Sequence, residues 1–129
     1  MRVLGIDPGS ETLGWGVVDG SGTRYSAVDF GVVRSNTKTS FSKRLAGLYD
    51  RVGELMAEHS PDVLSIEDTF YAVNVSVALK LGQVRGTMLL LAEQRGLDID
   101  VGARIDRRLD RELPERHRAL LHIRDWEER

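Results

Sequence analysis

The stretch from Arg2 to Asp19, RVLGIDPGSETLGWGVVD, decides the fold. Residues 2–6 form a short apolar run that is closed by Asp-Pro-Gly at residues 7–9, which is typical of a buried strand followed by a turn. A second strand is predicted from Leu13 to Asp19 and, after a Gly-Ser-Gly hairpin turn, a third from Arg24 to Val33. Three strands joined by short turns predict an antiparallel meander.

The hydrophobic period changes after the third strand. Apolar residues recur at steps of three and four from Ser42 to His59, which predicts an amphipathic helix capped by Ser40 or Ser42. A fourth strand is predicted from Val63 to Ile66 and a second helix from Val75 to Gln94. A strand reached through a helix normally runs parallel to its predecessor in the sheet. The order β-β-β-α-β-α therefore predicts an α/β fold in which helices pack on a mixed sheet.

The composition fits one domain of 129 residues with a net charge of -2 and no Cys. The lack of Cys excludes disulfides and thiolate zinc sites, and any DNA contact must come from a local basic patch. No long apolar run precedes Asp7, so we expect neither a signal peptide nor a membrane span, and a cytoplasmic location. The composition shifts near residue 103, since residues 104–129 hold eight Arg and no Lys. We expect a domain over residues 1–102 and a divergent Arg-rich tail over residues 103–129, helical or disordered.

Two acids follow strands of the predicted sheet. Asp7 ends the first strand and Glu67 ends the fourth, and the carboxyl ends of strands in such sheets commonly face a shared ligand crevice. Neighbouring carboxylates repel unless a cation neutralises them, and Mg²⁺ is a natural partner for oxygen ligands. Each acid also has a simpler interpretation, because Asp before Pro-Gly is common in turns and a lone Glu is commonly a solvated loop residue.

A small basic patch is predicted on the second helix. Lys80, Gln83 and Arg85 fall within one short stretch, which suits contacts to phosphates. The alternative is an ordinary solvated helix face. Apolar residues from Val75 to Leu91 exceed what one sheet face needs, so part of this helix is expected to form a dimer interface.

Two motifs resemble the RuvC-type Holliday-junction resolvases. GIDPGSETLGWGVV, from Gly5 to Val18, is similar to the first motif of that family, and IEDTFYAVNVSVALKLGQVRG, from Ile66 to Gly86, is similar to the second. The longer motif is the more specific, and the resemblance covers roughly residues 1–100 with the spacing between the motifs intact.

The resemblance implies a ribonuclease H-like fold and an endonuclease that cuts four-way DNA junctions by paired nicks. Asp7 and Glu67 match the family's first two catalytic carboxylates, which implies Mg²⁺ or Mn²⁺ as the cofactor, with two ions per subunit in a complete site. Phe70 matches an aromatic that stacks on bases near the junction centre, and Asn74 is expected to orient the loop or contact DNA. The implied partners are the four-way junction, a second copy of the chain and a branch-migration helicase complex, with no membrane.

The family pattern fails in the last part of the chain. Family members add another strand, a basic helical stretch and a last helix with two acids three residues apart, as in D-A-A-D-A. Asp106 and Asp110 are four apart in an Arg-rich context, while Asp98 and Asp100 alternate as exposed strand residues would. No third or fourth acid is assigned, and the Arg-rich tail indicates a shifted reading frame or a truncated gene copy.

The missing acids leave three functional hypotheses besides an active resolvase. Weak or absent cleavage is expected of the polypeptide as written, which leaves a catalytically impaired junction-binding domain as the first alternative. A related ribonuclease H-like nuclease acting on RNA is the second, although such enzymes lack the ALKLGQ segment present at residues 78–83. An actin-like ATPase shares the opening strand and Gly-rich hairpin, but it needs a second phosphate loop and far more chain.

Overall fold

The computed structural model of the protein describes residues 1–9, 11–21, 24–67 and 74–102. Residues 103–129, where the Arg-rich tail is predicted, lie outside the described residues. The elements, in chain order, are β1 Arg2–Pro8, β2 Thr12–Ser21, β3 Arg24–Arg34, α1 Phe41–His59, β4 Val63–Glu67, α2 Val75–Gln94 and β5 Asp98–Gly102.

The strands form one mixed sheet in the order β3-β2-β1-β4-β5. β1, β2 and β3 pair antiparallel, which confirms the predicted meander. β4 pairs parallel with β1, as expected for a strand reached through a helix. β5 extends the sheet by pairing parallel with β4. The predicted order β-β-β-α-β-α was therefore incomplete, because a five-residue strand with two acids, DIDVG, carries too little hydrophobic signal to be predicted.

Both helices contribute to the core on one face of the sheet. Leu4, Ile6, Leu64 and Ile66 of the two central strands lie in a cluster of buried side chains together with residues of α1 and α2. The contacting helix residues include Leu48, Val52, Leu55 and Met56 of α1 and Val84, Met88, Leu91 and Ala92 of α2. These positions recur at helical spacing, so one apolar stripe of each helix is removed from water.

Side chains and backbone conformations fix the helix ends. Of the two predicted caps for α1, Ser40 is the one used, and its hydroxyl accepts a hydrogen bond from the Lys43 amide at 3.3 Å. The last residue of α1 is His59, and its C-cap Ser60 adopts a left-handed φ of 49° directly before Pro61. α2 has the predicted bounds and is followed by Gly96 at φ 71°, a conformation that favours glycine.

Arg2 ties β1 to β2 and to the end of α1. Its guanidinium donates to both carboxylate oxygens of Asp19, at 2.8 and 3.0 Å, and to the His59 carbonyl oxygen at 2.7 Å. The last carbonyl groups of a helix lack partners within the helix, so this contact satisfies one of them. The side-chain hydrogen bond from Arg2 also lowers the pKa of Asp19 below its ordinary value.

Candidate active site

The pairing of β1 with β4 brings the two predicted catalytic acids to neighbouring positions. The parallel register runs from Val3 opposite Val63 to Ile6 opposite Ile66, and Asp7 and Glu67 are the next residues on each strand. Adjacent strands lie about 4.8 Å apart. The Asp7 side chain is exposed at this edge, and the Glu67 side chain lies outside the described part of the chain. The predicted neighbourhood of the two positions is therefore confirmed at the level of the backbone.

A tight turn follows Asp7 and depends on Gly9. The Gly9 amide donates to the Thr12 carbonyl oxygen at 2.7 Å. A Cβ atom on Gly9 would lie 2.6 Å from that same oxygen, which is closer than two non-bonded heavy atoms approach. Glycine is therefore required for the chain to turn back into β2 directly after the acid.

Contacts from the end of β3 hold the turn in place. Both the amide and the hydroxyl of Ser35 donate to the Glu11 carbonyl oxygen, at 3.1 and 3.0 Å. The Ser35 hydroxyl in turn accepts from the Arg44 side chain at 3.3 Å. The turn beside Asp7 is thus connected through Ser35 to α1, which packs on the sheet core.

The predicted DNA-contacting residues are distributed around the start of α2. Asn74 is exposed and caps the helix, with its side-chain oxygen accepting from the Val77 amide at 2.9 Å. Lys80 and Gln83 are exposed and Arg85 is half-buried. At about 100° per residue, Lys80 and Arg85 are about 140° apart around the helix axis, so they flank the helix rather than share one face. Phe70 lies outside the described residues.

A basic cleft between the end of β3 and α1 was not anticipated from the sequence. It has a volume of about 430 Å³. Its lining includes Arg34, Lys43, Arg44 and Arg51. Arg51 also pairs with Glu54 at 3.1 Å, while Arg44 stacks over the Phe41 ring and bonds Ser35. Because Arg44 and Arg51 are seven residues apart, they share one face of α1, and this spacing is the signal that would have pointed to the cleft.

One sequence expectation about acids was wrong. Asp98 is exposed, as predicted, but Asp100 is only 6% exposed. The reason is the pairing of β5 with β4, which places Asp100 beside Ser65 in the sheet. Ser65 is also fully buried. The two acids of DIDVG therefore belong to a strand that pairs parallel with β4, and not to a strand exposed to solvent.

Known proteins are similar to this chain in both sequence and fold. The family model of crossover junction endodeoxyribonuclease RuvC matches residues 3–105. The RuvC proteins of Maricaulis maris and Thermomicrobium roseum are 43% and 44% identical over 99 residues, which is 77% of this chain and 60% of each relative. The structure of Thermus thermophilus RuvC in complex with Holliday junction substrate superimposes with a TM-score of 0.72 at 27% identity, covering 79% of this chain and 65% of that one.

The resemblance inferred from the two motifs is thereby confirmed, and with it the ribonuclease H-like expectation of a mixed sheet flanked by helices. The chain spans about 60% of the length of the relatives that it matches. It belongs to the family of crossover junction endodeoxyribonucleases RuvC.

Proposed function

We propose that this protein is a divalent-metal-dependent endonuclease that resolves four-way DNA junctions in the cytoplasm. The observation that carries the proposal is the parallel pairing of β1 with β4, which sets Asp7 beside Glu67 at the carboxyl ends of the two strands. Membership of the RuvC family and the likeness to a RuvC structure in complex with Holliday junction substrate support the same substrate.

Asp7 and Glu67 would hold the metal. Carboxylate oxygens suit a hard cation, and Asp7 is exposed at the strand edge where an ion and a phosphate can both approach. Mg²⁺, or Mn²⁺ in its place, would supply an activated water and stabilise the leaving oxygen of a phosphodiester. The protein's own part is to fix the backbone positions of the two acids through the β1–β4 ladder and the Gly9 turn.

The junction would be bound by three groups of residues. Phe70 stacks on bases, Asn74 and Gln83 make polar contacts, and Lys80 and Arg85 contact phosphates from the two flanks of α2. The basic cleft lined by Arg34, Lys43, Arg44 and Arg51 would extend the phosphate-binding surface towards the turn beside Asp7. A protein of net charge -2 needs such a local concentration of cations to bind DNA.

A homodimer is proposed through the outer face of α2. The helix is 20 residues long and apolar enough to cross a membrane, yet only part of it is buried in the described structure. Val75, Leu79 and Leu90 on its outer side are 76%, 61% and 55% exposed. Gly86 lies on the same side, and a Cβ there meets open space. A two-fold pair of these faces would bury the apolar stripe and present two acid pairs to a two-fold junction, where a branch-migration helicase complex would act with it.

Charge insertion tests the dimer. Leu79→Lys is expected to shift the protein from dimer to monomer in analytical ultracentrifugation, because a cation would be buried without a partner. Ala46→Lys is the matched control, since Ala46 is an exposed helix position on α1. A dimer that survives Leu79→Lys, or that is lost equally in both variants, would contradict an α2 interface.

A second candidate function is junction binding without cleavage. The family model matches residues 3–105 and the chain covers about 60% of each relative, so the binding and the cutting of a junction are proposed and tested as separate properties. Binding and cutting are therefore scored together, with a labelled four-way junction and a linear duplex of the same sequence, first in EDTA and then with Mg²⁺ or Mn²⁺.

Three outcomes separate the two functions. Metal-dependent paired nicks that vanish in Asp7→Asn but persist in Asp50→Asn, an exposed acid of α1, support the nuclease. Selective junction binding without nicks in any metal supports the binding module. Equal binding to junction and duplex, without nicks, overturns both.

A further inference from the structure

His59 is the last residue of α1, and its imidazole is buried with a nitrogen that makes no hydrogen bond among the described residues. The residue is only 9% exposed. Its Nε2 atom is shielded from solvent and makes no hydrogen bond among the described residues. The imidazole lies against the Trp15 ring, with the centroids 5.9 Å apart. Buried polar atoms are normally satisfied, and the recorded polar contact of Nε2 is the ion-pair distance of 3.3 Å to Asp29.

Two carboxylates surround that nitrogen. The Asp29 Oδ2 atom of β3 lies 3.3 Å from His59 Nε2. One carboxylate oxygen of Glu58 completes a trio of ligand atoms that all lie within 4.8 Å of one another. Asp29 and Glu58 are exposed, so the trio has a buried nitrogen at its base and opens to solvent on the carboxylate side.

The spacing matches a shared tetrahedral ion. Ligand atoms of Zn²⁺ lie about 2.0–2.1 Å from the metal, so two of them at a tetrahedral angle are about 3.3–3.4 Å apart. The distance of 3.3 Å between Nε2 and Oδ2 agrees with this value. The Glu58 carboxylate oxygen lies within 4.8 Å of the other two ligand atoms, so it would have to move closer when an ion binds.

The charges also suit a divalent cation. Two carboxylates and a neutral imidazole carry a charge of −2 in total, which a divalent ion neutralises. The guanidinium of Arg2, which donates to the His59 carbonyl oxygen, is also engaged by both carboxylate oxygens of Asp19. An imidazole ligand favours Zn²⁺ and other transition metals over Mg²⁺ and Ca²⁺.

The trio is separate from the acid pair of the proposed nuclease site. Asp29 pairs with Val17, which pairs with Leu4, on the face that the helices cover. Asp7 is three residues further along β1, on the opposite face. From strand spacing and rise, the two backbone positions are roughly 14 Å apart.

We propose that Asp29, Glu58 and His59 form a transition-metal site that binds Zn²⁺ through three protein ligands, with a water in the fourth position. The ion fastens the edge strand β3 to the end of α1, two elements that are joined in sequence by residues 35–40. The inference does not depend on the proposed nuclease function, because it uses none of its residues.

The test measures Zn²⁺ binding and its effect on unfolding. Isothermal titration of the full chain with Zn²⁺, after removal of metals, is expected to show a site whose affinity falls at least tenfold in Asp29→Asn and His59→Gln. At a free Zn²⁺ concentration 100 times the dissociation constant, the folding equilibrium constant rises about 100-fold. That corresponds to a rise in the melting temperature on the order of 10 °C.

Control variants separate this site from other metal ligands in the chain. Asp7→Asn and the double variant His117→Gln/His122→Gln are expected to keep the Zn²⁺ site that Asp29→Asn loses, and so is Glu54→Gln, an exposed acid of the same helix. Co²⁺ provides a second readout, since a tetrahedral absorption spectrum that is lost in Asp29→Asn places the ion at the trio. Asp29 is half-exposed, so that variant is expected to fold even where His59→Gln does not. Unchanged affinity in Asp29→Asn, or loss of binding in Asp7→Asn or the double variant, would overturn the proposal.

Discussion

Gly31 on β3 lies directly against the buried Trp15 ring, so adding one methyl group there is expected to destabilise the protein. A Cβ atom there would lie 3.0 Å from Trp15 Cζ2 and 3.1 Å from both Cε2 and Nε1. Optimal contacts between carbon atoms are about 3.5–4.0 Å, so Gly31→Ala forces the indole to move by about half an ångström. Trp15 is 7% exposed and packs against His59, which leaves little room for that movement.

The expected cost follows from two opposing effects. Overpacking a core side chain destabilises by about 1–3 kcal/mol. Replacing glycine by alanine reduces the freedom of the unfolded chain and restores about 0.4–1 kcal/mol. We therefore expect Gly31→Ala to lower the free energy of unfolding by about 1–2 kcal/mol, measured by urea unfolding followed with far-ultraviolet circular dichroism.

Two further variants decide whether the indole causes the loss. Gly47→Ala on α1 is the matched control, because a Cβ there meets nothing within 4 Å and alanine favours the helix by up to about 1 kcal/mol. Trp15→Phe removes the outer part of the ring, so adding Gly31→Ala to that variant should cost much less than it does in the wild type. Equal costs in both backgrounds, or a stable Gly31→Ala protein, would refute this explanation.

Three other predictions concern the turn, the Arg2 contact and the cap of α2. Gly9→Ala is expected to lower the free energy of unfolding by about 1–3 kcal/mol in urea, because the new Cβ displaces the Thr12 carbonyl oxygen and weakens its hydrogen bond; a fully stable variant would show that the turn relaxes freely. Asp19 has a lowered pKa through Arg2, so its contribution to stability is present above about pH 3.8, its ordinary pKa, and is lost as the pH falls through the lower folded value; Asp19→Asn should therefore flatten stability against pH in this acid range, and an unchanged profile would contradict the linkage. Asn74→Ala is expected to lower the free energy of unfolding by about 1 kcal/mol because it removes the cap, whereas Asn74→Asp keeps the cap. If Asn74 also contacts DNA, Asn74→Asp will bind a four-way junction more weakly in gel shifts although its stability is kept. Equal junction affinity would limit Asn74 to capping.

The sequence was sufficient for the elements whose signals are local. The helix over residues 75–94 and the strands of the meander follow from hydrophobic period and glycine position, and the structure has them where they were predicted. β5 was missed because its burial depends on pairing with β4 and not on its own residues. The expected exposure of Asp100 failed for the same reason.

The sites also differ in how far the sequence alone predicts them. Asp7 and Glu67 lie at the carboxyl ends of β1 and β4, so their neighbourhood could be predicted once the two strands were assumed to be adjacent. The trio of Asp29, Glu58 and His59 joins residues some 30 positions apart through the contact of His59 with Asp29, and no motif in the sequence marks it. The basic cleft could be predicted only in part, because the sequence shows the spacing of Arg44 and Arg51 but not the contribution of Arg34.

The register of the sheet also gives a reason why the acids are placed at one edge and not elsewhere. On the face that carries Asp7, the positions near the start of β1 and its neighbours are Val3, Val18 and Val63, which form a small buried cluster with Tyr25. Further along, the side chains shrink, because Gly5 lies between Gly16 and Ser65. At the carboxyl edge, the cross-strand neighbour of Asp7 is Gly14, and that of Glu67 is Gly102. The two acids are thus flanked by residues without side chains, which leaves room for a metal ion and a phosphate backbone where larger neighbours would bar both.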